Sequence, residues 1–169
     1  MKALSLWQPW ASLVAFGEKK IETRSWPTRH RGILAIHAAK RLEKDQSFLL
    51  AKEPFRTALH RHGIVLPSKM PLGKIVAICW LSRCVEITPE FSRLLSEQEI
   101  AFGDYTPGRY AWILDNIQCL PEPVWCPGHQ GLWEWSGRIL GPYPDMVKEV
   151  VKAVERAMPE DHYYDLWRK

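Results

Sequence analysis

Lys19, Glu22 and Arg24 lie in the run Gly17-x-Lys19-x-x-Glu22-x-Arg24, in which one carboxylate is flanked by two cations. The carboxylate can fix both cations by charge-assisted hydrogen bonds, or it can act as the base of a reaction. An ordinary surface ion pair, worth little in solvent, is the plain alternative. A carboxylate paired with two cations is expected to have a depressed pKa, which makes it a poor base near neutrality. The same pairing keeps Lys19 charged and opposes its use as a free-amine nucleophile.

The neighbouring sequence supplies the elements that position these groups. Leu4-Ser5-Leu6 reads as a strand, Pro9 suits the first turn of a helix, and Gly17 suits a left-handed stop, so the helix is about two turns long. Beyond it, Ile21, Thr23 and Ser25 alternate with Glu22, Arg24 and Trp26, which puts Glu22 and Arg24 on one face of an extended strand. Lys19 can reach that face from the turn. Trp7, Trp10 and Trp26 bracket the charged run and can wall a cleft that sandwiches a base, whereas Trp80 and Trp112 fall inside apolar strands and read as core.

Further strands are expected at 32–38, 73–87 and 110–114, and a closing strand over Leu132-Trp133-Glu134-Trp135. Helices are expected over 43–62 and from Thr88, as cap, through Pro89 to Gly103. Pro121, Pro123 and Pro127 predict an irregular connection. Residues 144–158 read as an amphipathic helix, with Val147, Val150, Val151 and Val154 on one face. That helix packs on the domain as an added element or receives a protein partner.

At 169 residues, 46% hydrophobic and 25% charged, the chain fits one domain with a real core. It contains no run of about 18 apolar residues that would cross a membrane. The start of the chain lacks the long apolar segment of a signal peptide, so the expected compartment is the cytoplasm. Cys79, Cys84, Cys119 and Cys126 match no metal or redox spacing, and neither a metal nor a cofactor is expected. His37 lies amid apolar residues in the strand Leu34-Ala35-Ile36-His37-Ala38-Ala39, the setting of a core histidine bonded to backbone.

Charge is unevenly spread. Residues 1–60 carry 11 Lys and Arg against 5 Asp and Glu, while residues 61–169 carry 12 against 14. Lys19, Lys20, Arg24, Arg29, Arg31, Lys40 and Arg41 cluster with Trp26 and His30, a mixture that neutralises phosphate and offers flat faces to bases. The modest net charge of +4 fits a few phosphates of an RNA or single-stranded segment better than a coat on B-DNA.

The Gly17-x-Lys19-x-x-Glu22-x-Arg24 run resembles the signature of the ASCH (activating signal cointegrator homology) domain. So do Leu4-Ser5-Leu6-x-Gln8-Pro9-Trp10-Ala11, the segment Arg31-Gly32-x-Leu34-x-Ile36-His37-Ala38-Ala39-Lys40, and the distal Gly131-Leu132-Trp133. The resemblance implies an α+β fold of the PUA-like kind, a small open β-barrel of five to six strands with flanking helices. It assigns 1–140 to the ASCH domain and 141–169 to a helical extension packed on it. It implies RNA binding, linked to RNA processing or to transcription or translation regulation. Trp7, Gln8, Trp10, Lys19, Arg24, Trp26, Arg29, Arg31, His37 and Lys40 are then the candidate contacts. Some small bacterial members hydrolyse 4-acetylcytidine with a lysine, a threonine and a downstream glutamate. Lys19 matches the lysine, Glu22 stands where that set has threonine, and Glu97 or Glu99 is the downstream acid. Ribonuclease chemistry is a further family possibility. If the chain is an enzyme, Lys19, Glu22, Arg24 and Glu99 are the candidate catalytic groups.

Overall fold

Two periodicities divide the chain, and the computed structural model, which describes residues 1–137, follows them. Period-two stretches become strands β1 (Lys2–Leu6), β2 (Ile21–Arg24), β3 (Gly32–Ala38), β4 (Lys74–Glu86), β5 (Tyr110–Trp125) and β6 (Leu132–Glu134). Helices α1 (Trp10–Ala15), α2 (Lys44–Leu49), α3 (Phe55–His60), α4 (Pro89–Arg93) and α5 (Glu97–Ala101) fill the connections. Gly17, at φ +74°, ends α1 in the left-handed conformation.

The strands form one mixed sheet in the order β2-β5-β4-β3-β1-β6, with β1 and β3 parallel and the other pairings antiparallel. The sheet is curled. In a flat sheet β2 and β1 would lie roughly 19 Å apart, beyond the reach of any side chain. Yet Arg24 of β2 donates from Nη2 to the Ser5 carbonyl of β1 at 3.1 Å. Leu4, Leu6, Leu34, Ile36, Cys79, Leu81, Trp112 and Leu114 line the inside of this half-barrel, and Ala11 and Val14 of α1 plug it. The architecture is the expected α+β small barrel, open between β2 and β6.

Four local expectations are corrected. The helical region 43–62 is two helices, with α3 starting directly after Pro54. The region after Thr88 is also two, because Ser96 opens α5 by accepting from the Glu99 amide at 3.1 Å. The proline-marked connection is part of β5. Cys119 pairs with Ala77 and Val124 with Ile75, so Leu120-Pro121-Glu122-Pro123 bulge out of a ladder that resumes at Val124 and Trp125. Prolines are tolerated there because bulged residues owe no ladder hydrogen bond. Trp112 is fully buried as expected, but Trp80 is only half-buried. The helix read over 144–158, and its suggested packing, lie outside the described residues.

Candidate functional site

A cavity of about 390 Å³ opens beside the β1–α1 turn, within the size range of small-ligand sites. Trp7, Trp10 and Phe102 give it aromatic walls, and Lys19, Glu22, Arg24 and Asp104 give it polar groups. The short helix α1 puts Trp10 at its first residue and Lys19 just past its end. The period of β2 then delivers Glu22 and Arg24 to the same face.

Lys19 is the most constrained of these side chains. It is 1% exposed, and its Nζ donates to Glu99 Oε1 at 3.0 Å while sitting 5.5 Å from the centre of the Tyr105 ring. Glu99 is held by the fold through three hydrogen bonds. Its Oε1 also accepts from Tyr105 Oη at 2.7 Å, and its Oε2 accepts from the Lys20 amide at 2.9 Å. Burial, then the Glu99 charge, push the Tyr105 phenol above its ordinary range, so it stays a donor. Close approach makes Gly103 necessary, because a Cβ there would fall 2.7 Å from the Tyr105 ring and 3.1 Å from Lys19 Nζ. An ammonium has three donors, and one of those of Lys19 is used by a protein hydrogen bond among the described residues. The other two have no protein acceptor among the described residues, and Lys19 lines the cavity.

Glu22 departs from expectation. It pairs with one cation, Arg24, whose Nε lies 2.9 Å from Glu22 Oε1, while Lys19 is engaged by Glu99. The approach is off the N–H direction, so Arg24 Nε is a buried donor held by an ionic contact without a directed hydrogen bond. Burial raises the Glu22 carboxyl above the usual carboxylate range, outweighing the lowering by Arg24, Lys19 and Arg109. The two neighbouring cations favour a depressed pKa, but desolvation dominates here. Asp104 completes the rim, its Oδ2 3.2 Å from Arg109 Nε and its Oδ1 accepting from Thr106. Every charged group on the wall therefore has an ion partner.

The other candidates are placed elsewhere. Gln8 is fully buried and staples the chain, donating to the Pro71 carbonyl at 2.8 Å and accepting from the Ser12 amide at 3.1 Å. Trp26 packs edge-on against Trp112, with ring centres 4.7 Å apart, and is not on the cavity wall. Arg31 donates to the carbonyls of Thr28 and His30, and Arg29 and Lys40 are exposed. His37 points from the opposite face of β3, where it is 1% exposed and bonded to Ser5 Oγ and the Cys126 carbonyl. Glu97 is exposed, whereas Glu99 backs Lys19.

Tyr105, Phe102 and Asp104 join the site without any forewarning in the sequence. Even Glu99 reads locally as the last residue of a Ser-x-x-Glu capping box. Ser96 does cap α5, but the Glu99 carboxylate turns to Lys19.

The ASCH domain family profile matches residues 4–156 of this chain. Activating signal cointegrator 1 of Mus musculus and of Homo sapiens are each 27% identical to it over 136 residues, 80% of this chain. The chain spans about a fifth (22%) of the length of these relatives. Among solved structures, ASCH from Zymomonas mobilis aligns over 89% of this chain and 93% of its own, at 18% identity and a TM-score of 0.46. A single-residue mutant of that bacterial protein aligns over 89% of this chain and 96% of its own, at 18% identity and a TM-score of 0.45.

Proposed function

Because this chain belongs to the ASCH domain family, we propose that it binds nucleic acid, RNA or another single strand, by taking one unstacked base into the cavity beside Lys19, Glu22 and Arg24. The chemistry of the wall carries this reading. Trp7, Trp10 and Phe102 offer flat apolar faces, Lys19 and Arg24 offer donors, and Glu22 and Asp104 offer acceptors. That combination is complementary to a planar heterocycle edged with carbonyl and amino groups. Since each wall charge already has an ion partner, a phosphate gains little inside, and the backbone of the strand stays outside the cavity, where exposed cations such as Arg29 or Lys40, at opposite ends of β3, can meet it. Fluorescence titration with nucleoside monophosphates and short RNA tests the reading. Trp7→Ala should weaken both by roughly 5-fold or more, the loss of one stacked base. Unchanged affinity in that variant, or no binding by the parent protein at low salt, would refute it.

One observation favours a second reading, hydrolysis of a modified nucleoside such as 4-acetylcytidine. A carboxyl held above its usual range by burial, beside a lysine ammonium, is suited to proton transfer near neutrality. Incubation with 4-acetylcytidine followed by chromatography decides this. Product from the parent protein, lost in a folded Glu22→Gln variant that still binds RNA, would make the site catalytic.

A further inference from the structure

The fold already uses many of the hydrogen-bonding groups around the cavity, and those left over form a pattern. Trp10 Nε1 donates to the Phe102 carbonyl at 2.8 Å, so that indole has no donor left for a ligand. Asp104 accepts from the Thr106 amide and hydroxyl and faces Arg109. Glu99 receives its three hydrogen bonds behind Lys19. Glu22 differs from both of these acids. It is 8% exposed, its Oε1 has the ionic contact with Arg24 Nε, and neither of its oxygens accepts a hydrogen bond among the described residues. Lys19, 1% exposed, has two donors without a protein acceptor among the same residues. Both side chains line the cavity. A ligand that satisfies them must present an acceptor to Lys19 and donors to Glu22.

We propose that the base taken by the cavity is guanine, its O6 accepting from Lys19 and its N1–H and exocyclic amino group donating to the Glu22 carboxylate. A carboxylate only accepts, through two oxygens side by side, and guanine alone among the common RNA bases carries two adjacent donors on different nitrogens. Uracil sets one N–H between two carbonyls. Adenine and cytosine set a ring-nitrogen acceptor beside the amino group, so each of the three would turn a lone pair toward Glu22. Burial raises the Glu22 carboxyl, but Arg24, Lys19 and Arg109 oppose that shift, and two ligand donors oppose it further, which favours the carboxylate in the complex. The inference rests on the base-pocket reading and deepens it, from an unspecified base to one.

Fluorescence titration of the full chain with the monophosphates of guanosine, inosine, adenosine, cytidine and uridine tests this, at about pH 8, where a raised carboxyl is more fully ionised than at neutrality. Guanosine monophosphate should bind tightest. Inosine monophosphate, which lacks only the exocyclic amino group, should bind roughly 10- to 150-fold more weakly, the range for one hydrogen bond to a charged group. A folded Glu22→Gln variant should lose most of that difference, because an amide turns a donor toward the base edge. Equal binding of the guanosine and inosine monophosphates by the parent protein would overturn guanine. So would tighter binding of cytidine monophosphate, whose N3 and amino group suit a neutral Glu22 acid. In either case, Trp7→Ala still weakening every monophosphate would leave the pocket standing. Selective binding of guanosine monophosphate that Trp7→Ala does not diminish would support the Glu22 contact and reject the stacking pocket. Absence of binding to any of the five would overturn both.

Discussion

Two polar clusters lie on opposite faces of the same half-barrel, and they treat their hydrogen bonds differently. On the convex side His37 is closed. Cys126 offers only a carbonyl, so the ring nitrogen facing it at 3.1 Å, Nε2, carries the proton. Nδ1 then accepts from the Ser5 hydroxyl at 3.1 Å, and Ser5 Oγ in turn accepts from Trp133 Nε1 at 3.2 Å. Both ring nitrogens are used, and burial pushes the imidazole below its ordinary range, keeping it neutral. In the cavity, Lys19 is equally buried but keeps donors in hand, and Arg24 Nε lacks a directed hydrogen bond. Burial of a polar group therefore does not distinguish the two clusters. Unspent hydrogen-bonding capacity facing a cavity does.

The comparison breaks most visibly at the Lys19–Glu99 pair. Glu99→Gln leaves an ammonium buried without its counter-charge, and should destabilise the fold by about 3–5 kcal/mol, read from urea unfolding. Adding Lys19→Met should restore most of that loss while leaving ligand binding impaired. A double variant no more stable than the single would show that the charges are not coupled. A smaller effect is expected at the closed cluster. His37→Ala leaves the Ser5 hydroxyl proton and the Cys126 carbonyl without their partner and should cost about 1–3 kcal/mol, with mononucleotide affinity unchanged in the folded protein. A specific loss of that affinity would move His37 into the site.

The smallest effect, and the one that sharpens the contrast, is the pH dependence at Glu22. Its folded pKa is raised, so the native state binds more protons than the unfolded chain between the ordinary glutamate value, about 4.3, and the folded value. Stability contributed by the neutral acid is present below that window and is lost as pH rises through it. Glu22→Gln, which stays neutral, should thus be at least as stable as the parent at pH 7, and its advantage should vanish by about pH 4. An advantage that grew toward acid would mean that Arg24 depresses the carboxyl after all.

The sequence by itself determined what depends on near neighbours. Alternation over 21–26 put Glu22 and Arg24 on one face, Gly17 stopped α1, and the apolar run of β3 was readable from 32 to 38 because strand period and turn residues act over a few positions. Prolines misled where a bulge relieved them of ladder bonds, and Pro54 and Ser96 cut helices that periodicity had joined. Tertiary structure alone decided which charges met. Glu99 lies 80 residues from Lys19 and reaches it because α5 packs beside the turn after α1, and Tyr105 fixes its carboxylate from the following loop. It alone also decided the protonation of Glu22, since desolvation depends on how many groups surround a side chain and no spacing along the chain encodes that number.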